Sequence, residues 1–125
     1  MASPTGSRFV AIVDDDRSVQ SALKDLMESV GLVARCYGSA EEFLESDRWR
    51  QTGCLVLDVA MPGMSGLELQ TRLQTLESRL AIIFITARGD GRMREQAMEA
   101  GAVEFLSKPF DNRVLLERVH AALKS

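Results

Sequence analysis

The sequence predicts an α/β fold, a doubly wound parallel sheet of five strands with helices on both of its faces. Five short apolar runs alternate with helical patterns, and this alternation is typical of parallel sheets built from βα units. Several runs are apolar throughout, as expected for strands that are covered on both faces. The length of 125 residues suits five such units, because an eight-fold barrel needs about twice as much chain.

The strands are indicated by runs rich in Val, Ile, Leu and Phe. They are expected at residues 8–13, 33–37, 54–58, 81–86 and 103–106. In the strand order 2-1-3-4-5 of flavodoxin-like sheets, a ligand site lies at the carboxyl ends of strands 1 and 3. The same order separates strands 2 and 3 by about two spacings of ~4.8 Å, so no disulfide is expected between Cys36 and Cys54.

The helices are indicated by apolar stripes and by start signals. A stripe of apolar residues from Val19 to Val30 predicts the first helix over 17–30. Two Ser-x-x-Glu sequences, SAEE and SGLE, are capping boxes that place helix starts near 40 and 66. A weaker helix is expected over 91–100, and a final stripe from Val114 to Leu123 predicts the last helix.

Charge and composition bear on partners and location. The net charge is −3 at pH 7 and the basic residues are scattered, so direct binding to nucleic acid is not expected. No apolar run approaches the ~20 residues of a membrane span, and no signal sequence is evident, which predicts a cytoplasmic protein without membrane contact. Residues 1–7 are small and polar, so we expect a disordered tail before a single domain over 8–124.

Polar side chains follow four of the five predicted strands, and the parallel topology brings them to one edge of the sheet. They are Asp14, Asp15 and Asp16 after strand 1, Asp58 at the end of strand 3, Thr86 at the end of strand 4 and Lys108 after strand 5. Asp16 is expected to cap the first helix. The other three carboxylates outweigh the single ammonium group, and a divalent cation would neutralise the excess. Oxygen ligands without nearby His or Cys favour Mg²⁺, or Mn²⁺.

A carboxylate beside a divalent cation, a lysine and a threonine hydroxyl is suited to phosphoryl transfer, and Asp58 is the candidate nucleophile. These motifs resemble the receiver domain of two-component response regulators, and within it the FixJ-type subgroup. The matching stretches lie between about residues 8 and 124 and are IVDDD, LVLDVAMPGMSGLEL, IIFITARGD and GAVEFLSKPF. Asp58 precedes Thr86 by 28 residues and Lys108 by 50, which is the spacing of this CheY-like family.

The resemblance implies a phosphoacceptor site. Asp58 would accept a phosphoryl group from a phosphohistidine of a sensor histidine kinase, in a signalling domain rather than a turnover enzyme. Asp15 would bind Mg²⁺ directly, Asp14 would act mainly through water, and the backbone carbonyl of Ala60 would be a further ligand.

The resemblance also implies a conformational switch. Thr86 and Lys108 would hold the phosphoryl oxygens, and the Lys108–Pro109 peptide would be cis. Phe105 matches the aromatic switch position, whose ring turns inward when Thr86 moves toward the phosphate. The face of helix 4, strand 5 and helix 5 would then rearrange, form a phosphorylation-dependent homodimer and control transcription through a C-terminal DNA-binding domain outside this chain.

Two positions of the family bear on the lifetime of the phosphorylated state. Ala60 and Arg88 would flank the path of the water molecule that hydrolyses the acyl phosphate. Related sequences often carry a long side chain at the first position, so Ala60 predicts a site that is more open to water. Arg88 would partly cover it.

Two alternatives remain open at this point. Asp14-x-Asp16 resembles the start of haloacid-dehalogenase-type phosphatases, but those enzymes need an acidic pair after the lysine, and only Asp111 and Glu117 follow Lys108. A degenerate receiver that serves only as a docking module is the other alternative, although all five functional positions carry the expected residue types. A dinucleotide-binding domain is disfavoured because the sequence has no GxGxxG motif.

Overall fold

The computed structural model describes residues 9–87 and 90–124. The strands in these ranges are β1 (Phe9–Val13), β2 (Ala34–Tyr37), β3 (Thr52–Asp58), β4 (Ala81–Thr86) and β5 (Glu104–Ser107). The helices are α1 (Arg17–Ser29), α2 (Ala40–Glu45), α3 (Gly66–Thr75), α4 (Gly91–Glu99) and α5 (Asn112–Lys124). A 3₁₀ turn, Trp49–Gln51, precedes β3. The predicted alternation of strands and helices is confirmed.

The five strands form one parallel sheet in the order β2-β1-β3-β4-β5, as predicted. β1 and β3 lie inside the sheet, and every residue of β1 is buried. This burial on both faces explains why the sequence of β1 is a continuous apolar run rather than an alternating one. The order also reverses between β1 and β3, which is where a ligand site was expected.

Two hydrophobic clusters cover the two faces of the sheet. One packs α2, α3 and α4 against the sheet through residues such as Phe43 and Leu69. The other packs α1 and α5 against the opposite face through residues such as Met27 and Leu115. The fold is therefore doubly wound, and its core holds all the strand ends in fixed relative positions.

The helix starts agree with the capping boxes, whereas the start of β3 differs from the prediction. Ser39 accepts a hydrogen bond from the backbone of Glu42, and Ser65 and Glu68 form a complete reciprocal capping box. β3 begins at Thr52 rather than at residue 54, because Thr52 and Gly53 are buried and Thr52 pairs with Phe9 of β1, although neither residue is strongly apolar.

The two cysteines are free, with Cys36 half-buried and Cys54 buried, so the expectation of no disulfide between them is confirmed. Among the described residues, no helix is long and apolar enough to cross a membrane. The predicted tail over 1–7 and the first residue of the predicted domain, Arg8, lie outside the described residues.

Candidate functional site

The polar residues singled out by sequence meet at the carboxyl edge of the sheet. Asp14 follows β1, and Asp58 and Thr86 are the last residues of β3 and β4. Lys108 follows β5, and its backbone N–H donates to the carbonyl of Thr86 at 2.8 Å. Because these strands are parallel neighbours, the packing of the core alone brings their ends together.

Three carboxylates form a compact cluster at this edge. One oxygen from each of Asp14, Asp15 and Asp58 lies within 4.8 Å of the other two. Asp14 is 1% exposed, Asp58 is half-buried and Asp15 is exposed. Opposite charge is supplied by Lys108, whose Nζ lies 3.9 Å from Oδ2 of Asp14. The cluster therefore carries more negative charge than the lysine balances.

Asp14 is held firmly yet incompletely satisfied. Its Oδ1 accepts the backbone N–H of Asp16 at 2.9 Å, and its backbone carbonyl accepts a bond from the Gln20 side chain at 2.6 Å. Oδ2 is buried and has no hydrogen-bond partner among the described residues. A buried carboxylate oxygen without a partner is costly, and such an oxygen beside two further carboxylates fits a hard cation such as Mg²⁺.

Burial and mutual repulsion raise the pKa values of the two inner carboxyls. For Asp14, loss of solvation raises the pKa, against the opposing effects of the Asp16 N–H and of Lys108. For Asp58, loss of solvation and the charge of Asp14 raise the pKa to about 6. Additional positive charge at the cluster would favour the ionised form of both groups.

Asp16 has a different role from its two neighbours. Its side chain accepts hydrogen bonds from the backbone N–H groups of Ser18 and Val19, at 2.8 and 3.4 Å, and from the Ser18 hydroxyl. It is the N-cap of α1, as predicted. These hydrogen bonds hold the pKa of Asp16 below its usual value, led by the bond from the Ser18 hydroxyl.

The loop between β3 and α3 carries Ala60 past the cluster. The backbone N–H of Ala60 lies 3.4 Å from Oδ1 of Asp58. Further along the loop, the backbone N–H of Met64 donates to the Glu41 carboxylate at 3.0 Å, which fastens the loop to α2. Gly66, the first residue of α3, donates its N–H to the carbonyl of Val59 at 2.9 Å.

The residues expected to form the switch lie on β4 and β5, with Thr86 at the end of β4 and Phe105 opposite Phe84 within the sheet. Thr86 and Phe105 are buried, and the ring of Phe105 packs against that of Phe84 with centroids 6.0 Å apart. The Lys108–Pro109 peptide is cis. Arg88, the second position expected to affect the lifetime, lies outside the described residues.

Sequence reasoning missed Gln20 and Glu41, which hold the two loops of the site. Glu41 accepts a hydrogen bond from Met64, 23 residues away, and Gln20 donates one to the carbonyl of Asp14, six residues away. Neither residue belongs to a motif at the strand ends. In the sequence, Glu41 lies within the SAEE segment, which indicates only the start of a helix. A search for acids near loop amides, once the topology is known, would find Glu41.

Comparison with known proteins gives one consistent family. The profile of the response regulator receiver domain matches residues 10–120. Nodulation protein W of Bradyrhizobium diazoefficiens is 50% identical over 114 residues, which are 91% of this chain and 50% of that protein. The chain spans about half the length of the curated relatives it matches.

Two solved structures give the same result. The response regulator StyR superimposes with a TM-score of 0.87 at 47% identity, covering 94% of this chain and 60% of that chain. The structure of FixJ-N superimposes with a TM-score of 0.84 at 37% identity and covers 99% and 96%. The FixJ-type resemblance is therefore confirmed, and the match disfavours the phosphatase alternative.

Proposed function

The chain belongs to the response regulator receiver domain family, and on this premise we propose that Asp58 is its phosphoacceptor. The observation that carries the proposal is the cluster of Asp14, Asp15 and Asp58 facing Lys108 at one edge of the sheet. Asp58 is the cluster member that ends a central strand, and it is half-buried, so one carboxylate can meet a donor in a fixed direction.

The proposed transfer is a direct displacement at phosphorus. The phosphohistidine of the donor carries a proton on its other ring nitrogen. An oxygen of ionised Asp58 bonds to phosphorus while the bond between phosphorus and the donor nitrogen breaks, so that the imidazole leaves as a neutral ring. Thr86 and Lys108 hold the phosphoryl oxygens and follow the charge that arrives with them. The donor is a sensor histidine kinase, and the chain is a signalling domain rather than a turnover enzyme.

The acidic cluster is the proposed site for Mg²⁺, or Mn²⁺. Asp15 and Asp58 would bind the cation directly, with the Ala60 carbonyl as a further ligand and Asp14 acting mainly through water. The cation would lower the charge between the carboxylates and the incoming phosphoryl group. The buried Oδ2 of Asp14, which accepts no hydrogen bond among the described residues, and the raised pKa of Asp58 support this assignment.

The output of the site is the proposed switch. Phosphorylation would move Thr86 and fix Phe105 inward, and the face of α4, β5 and α5 would rearrange and dimerise. In a longer protein of the kind that the relatives represent, this face would control a C-terminal DNA-binding domain and hence transcription. We place the single receiver domain at 8–124 and the protein in the cytoplasm as parts of the same proposal.

Labelling with a small phosphodonor tests the phosphoacceptor. The protein is incubated with acetyl phosphate and Mg²⁺, and its intact mass is measured. We expect one added phosphoryl group, which is lost in Asp58→Asn and in the presence of a chelator. Asp25→Asn, which removes an exposed carboxylate of α1, is the matched control and is expected to label like the parent.

Each of the other interpretations gives a different result in this experiment. Turnover of a phosphomonoester without a stable label would indicate a phosphatase. A complete lack of labelling would indicate a docking module. Label that persists in Asp58→Asn would move the phosphoacceptor to another residue.

The lifetime proposal has its own test. Ala60 is exposed beside Asp58, so water has access to the acyl phosphate from this side. Ala60→Arg is expected to slow dephosphorylation of the labelled protein, followed by mass over time after the donor is removed. An unchanged rate would contradict the proposed role of Ala60.

A further inference from the structure

β5 is an edge strand, and the backbone of Phe105 within it is held by side chains. β5 pairs with β4 and stands last in the sheet. The N–H of Phe105 donates to Oε1 of Glu104 at 3.1 Å, and its carbonyl accepts a hydrogen bond from Nη1 of Arg94 at 2.8 Å. Backbone groups at a sheet edge need partners beyond the sheet, and here two charged side chains supply them.

The same two side chains belong to a charged cluster that links three elements. Nη2 of Arg94 in α4 lies 3.7 Å from Oε1 of Glu104 in β5, and Nε of Arg118 in α5 lies 3.2 Å from Oε2. The Glu104 side chain is 16% exposed, whereas the two arginine side chains are about half exposed. A largely buried carboxylate between two guanidinium groups is held more firmly than an exposed surface pair.

The ring of Phe105 is buried while its backbone is fixed from outside. Phe105 is 3% exposed, and its ring lies on the core side, against Phe84. A ring can leave the core only if the strand around it adjusts or the side chain rotates past its neighbours. The two hydrogen bonds on the backbone of Phe105 oppose an adjustment of the strand around it.

We propose that Arg94 and Glu104 are positioning residues that keep Phe105 inward in the unphosphorylated protein. The inference rests on the proposed function, in which the inward ring accompanies phosphorylation of Asp58. If the inward arrangement is already populated, less free energy is needed to reach the phosphorylated arrangement. Loosening the cluster lowers that population and so weakens the binding of a phosphoryl analogue at Asp58, although neither residue touches the acidic cluster.

The test separates the position of the ring from events at Asp58. The protein is labelled with fluorophenylalanine, and the ¹⁹F resonance of Phe105, one of five phenylalanines, is assigned by its loss in Phe105→Leu. Arg94→Met removes the guanidinium and keeps most of the side-chain stem. Arg92→Met removes the same charge from an exposed position of the same helix and is the matched control.

We expect Arg94→Met to shift or broaden the Phe105 resonance in the protein without ligands, with a smaller change at Phe84, whose ring contacts that of Phe105. The resonances of Phe9 and Phe43 are expected to stay unchanged. The apparent affinity for beryllofluoride in the presence of Mg²⁺ is expected to fall about 3- to 10-fold, less than the full effect of one lost hydrogen bond to a charged donor, because only part of that free energy separates the two ring positions. The affinity for Mg²⁺ alone is expected to stay the same. If Arg94 only stabilised the fold, its loss would not lower the affinity for beryllofluoride while leaving the affinity for Mg²⁺ unchanged.

A second variant keeps the test informative if Arg94→Met fails to fold. Glu104→Gln retains an acceptor for the Phe105 N–H but removes both ion pairs, and a smaller change in the same direction is expected. The proposal is overturned if the Arg94 and Glu104 variants match Arg92→Met in both the resonance and the beryllofluoride affinity. Failure of the parent to bind beryllofluoride contradicts the proposed function instead, and the resonance of Phe105 then decides the positioning role.

Discussion

Gly66 and Gly91 are each the first residue of a helix, and we predict opposite effects on stability when each is replaced by alanine. A Cβ at Gly66 would lie far inside van der Waals contact with the carbonyl oxygen of Asp58, and 3.0 Å from the Cα of Val59. At Gly91, no described atom outside its own helix and chain neighbours lies within 4 Å of such a Cβ. The difference between the two sites is therefore the close approach of α3 to the end of β3.

The size of the change in the free energy of unfolding depends on whether the atoms around the new Cβ can move away. The three atoms that meet the new Cβ of Gly66→Ala all belong to the backbone and cannot rotate away, so the cost lies near the upper end of ~1–3 kcal/mol for overpacking. The better helix propensity of alanine returns at most ~1 kcal/mol. Gly66→Ala should thus lower the free energy of unfolding by about 2 kcal/mol. Gly91→Ala should raise it by about 0.5 kcal/mol, since only the propensity changes.

Urea unfolding followed by circular dichroism measures both changes, provided the slope with denaturant stays constant. Gly66→Ala should also slow labelling by acetyl phosphate, because relieving the contact displaces the backbone of Asp58. Gly91→Ala should label at the parent rate. Equal stabilities for the two variants would refute the reasoning, since they would mean that α3 can withdraw from β3 without cost.

Three further predictions concern charge and helix ends. Without metal, the raised pKa of Asp58 means that this carboxyl binds its proton more tightly in the folded state than in the unfolded chain. The free energy of unfolding should therefore fall as the pH rises from the usual pKa of 3.8 to the folded-state pKa of about 6. Thermal unfolding with chelator should show a smaller fall in Asp58→Asn. Asp14→Asn should weaken Mg²⁺ binding at least about tenfold by calorimetry, because one of three clustered charges is lost. Glu77, two residues after the end of α3, has a φ of 57°, so Glu77→Gly should raise the free energy of unfolding by about 1 kcal/mol in urea. Gly101→Ala, at a φ of 100°, should lower it by a similar amount.

The sheet was predictable because its central strands carry a strong signal. β1 and β4 are nearly continuous apolar runs, and their bounds differ from the predictions by at most one residue. The start of β3 was missed because Thr52 and Gly53 are not strongly apolar. Thr52 is buried where it pairs with Phe9 of β1, and Gly53 is buried at the register shift that follows. The 3₁₀ turn at Trp49–Gln51 likewise has no periodic pattern that could have indicated it.

The carboxyl edge of the sheet was predictable for a topological reason. Once strand order is known, the residues that follow β1, β3, β4 and β5 must meet, whatever their separation in sequence. The supporting contacts follow no such rule. Glu41 reaches Met64 across 23 residues, and Arg94 reaches the carbonyl of Phe105 from another element. Contacts of this kind depend on side-chain rotamers and on how closely a helix approaches a strand. The spacing of residues in the sequence does not determine either of these.

The acidic cluster is where the sequence departs from what stability favours. An apolar residue in place of Asp14 would fill the end of β1 and would remove the buried carboxylate oxygen that accepts no hydrogen bond among the described residues. The same arrangement links stability to ligand binding, because any cation that relieves the repulsion binds the folded state and stabilises it by an amount that grows with the logarithm of the cation concentration above the dissociation constant. In the proposed function, the repulsion among the carboxylates of the metal-free cluster therefore contributes to the affinity for Mg²⁺, because binding of the cation relieves it. A variant that stabilises the metal-free domain by removing one of these charges should bind the cation less tightly.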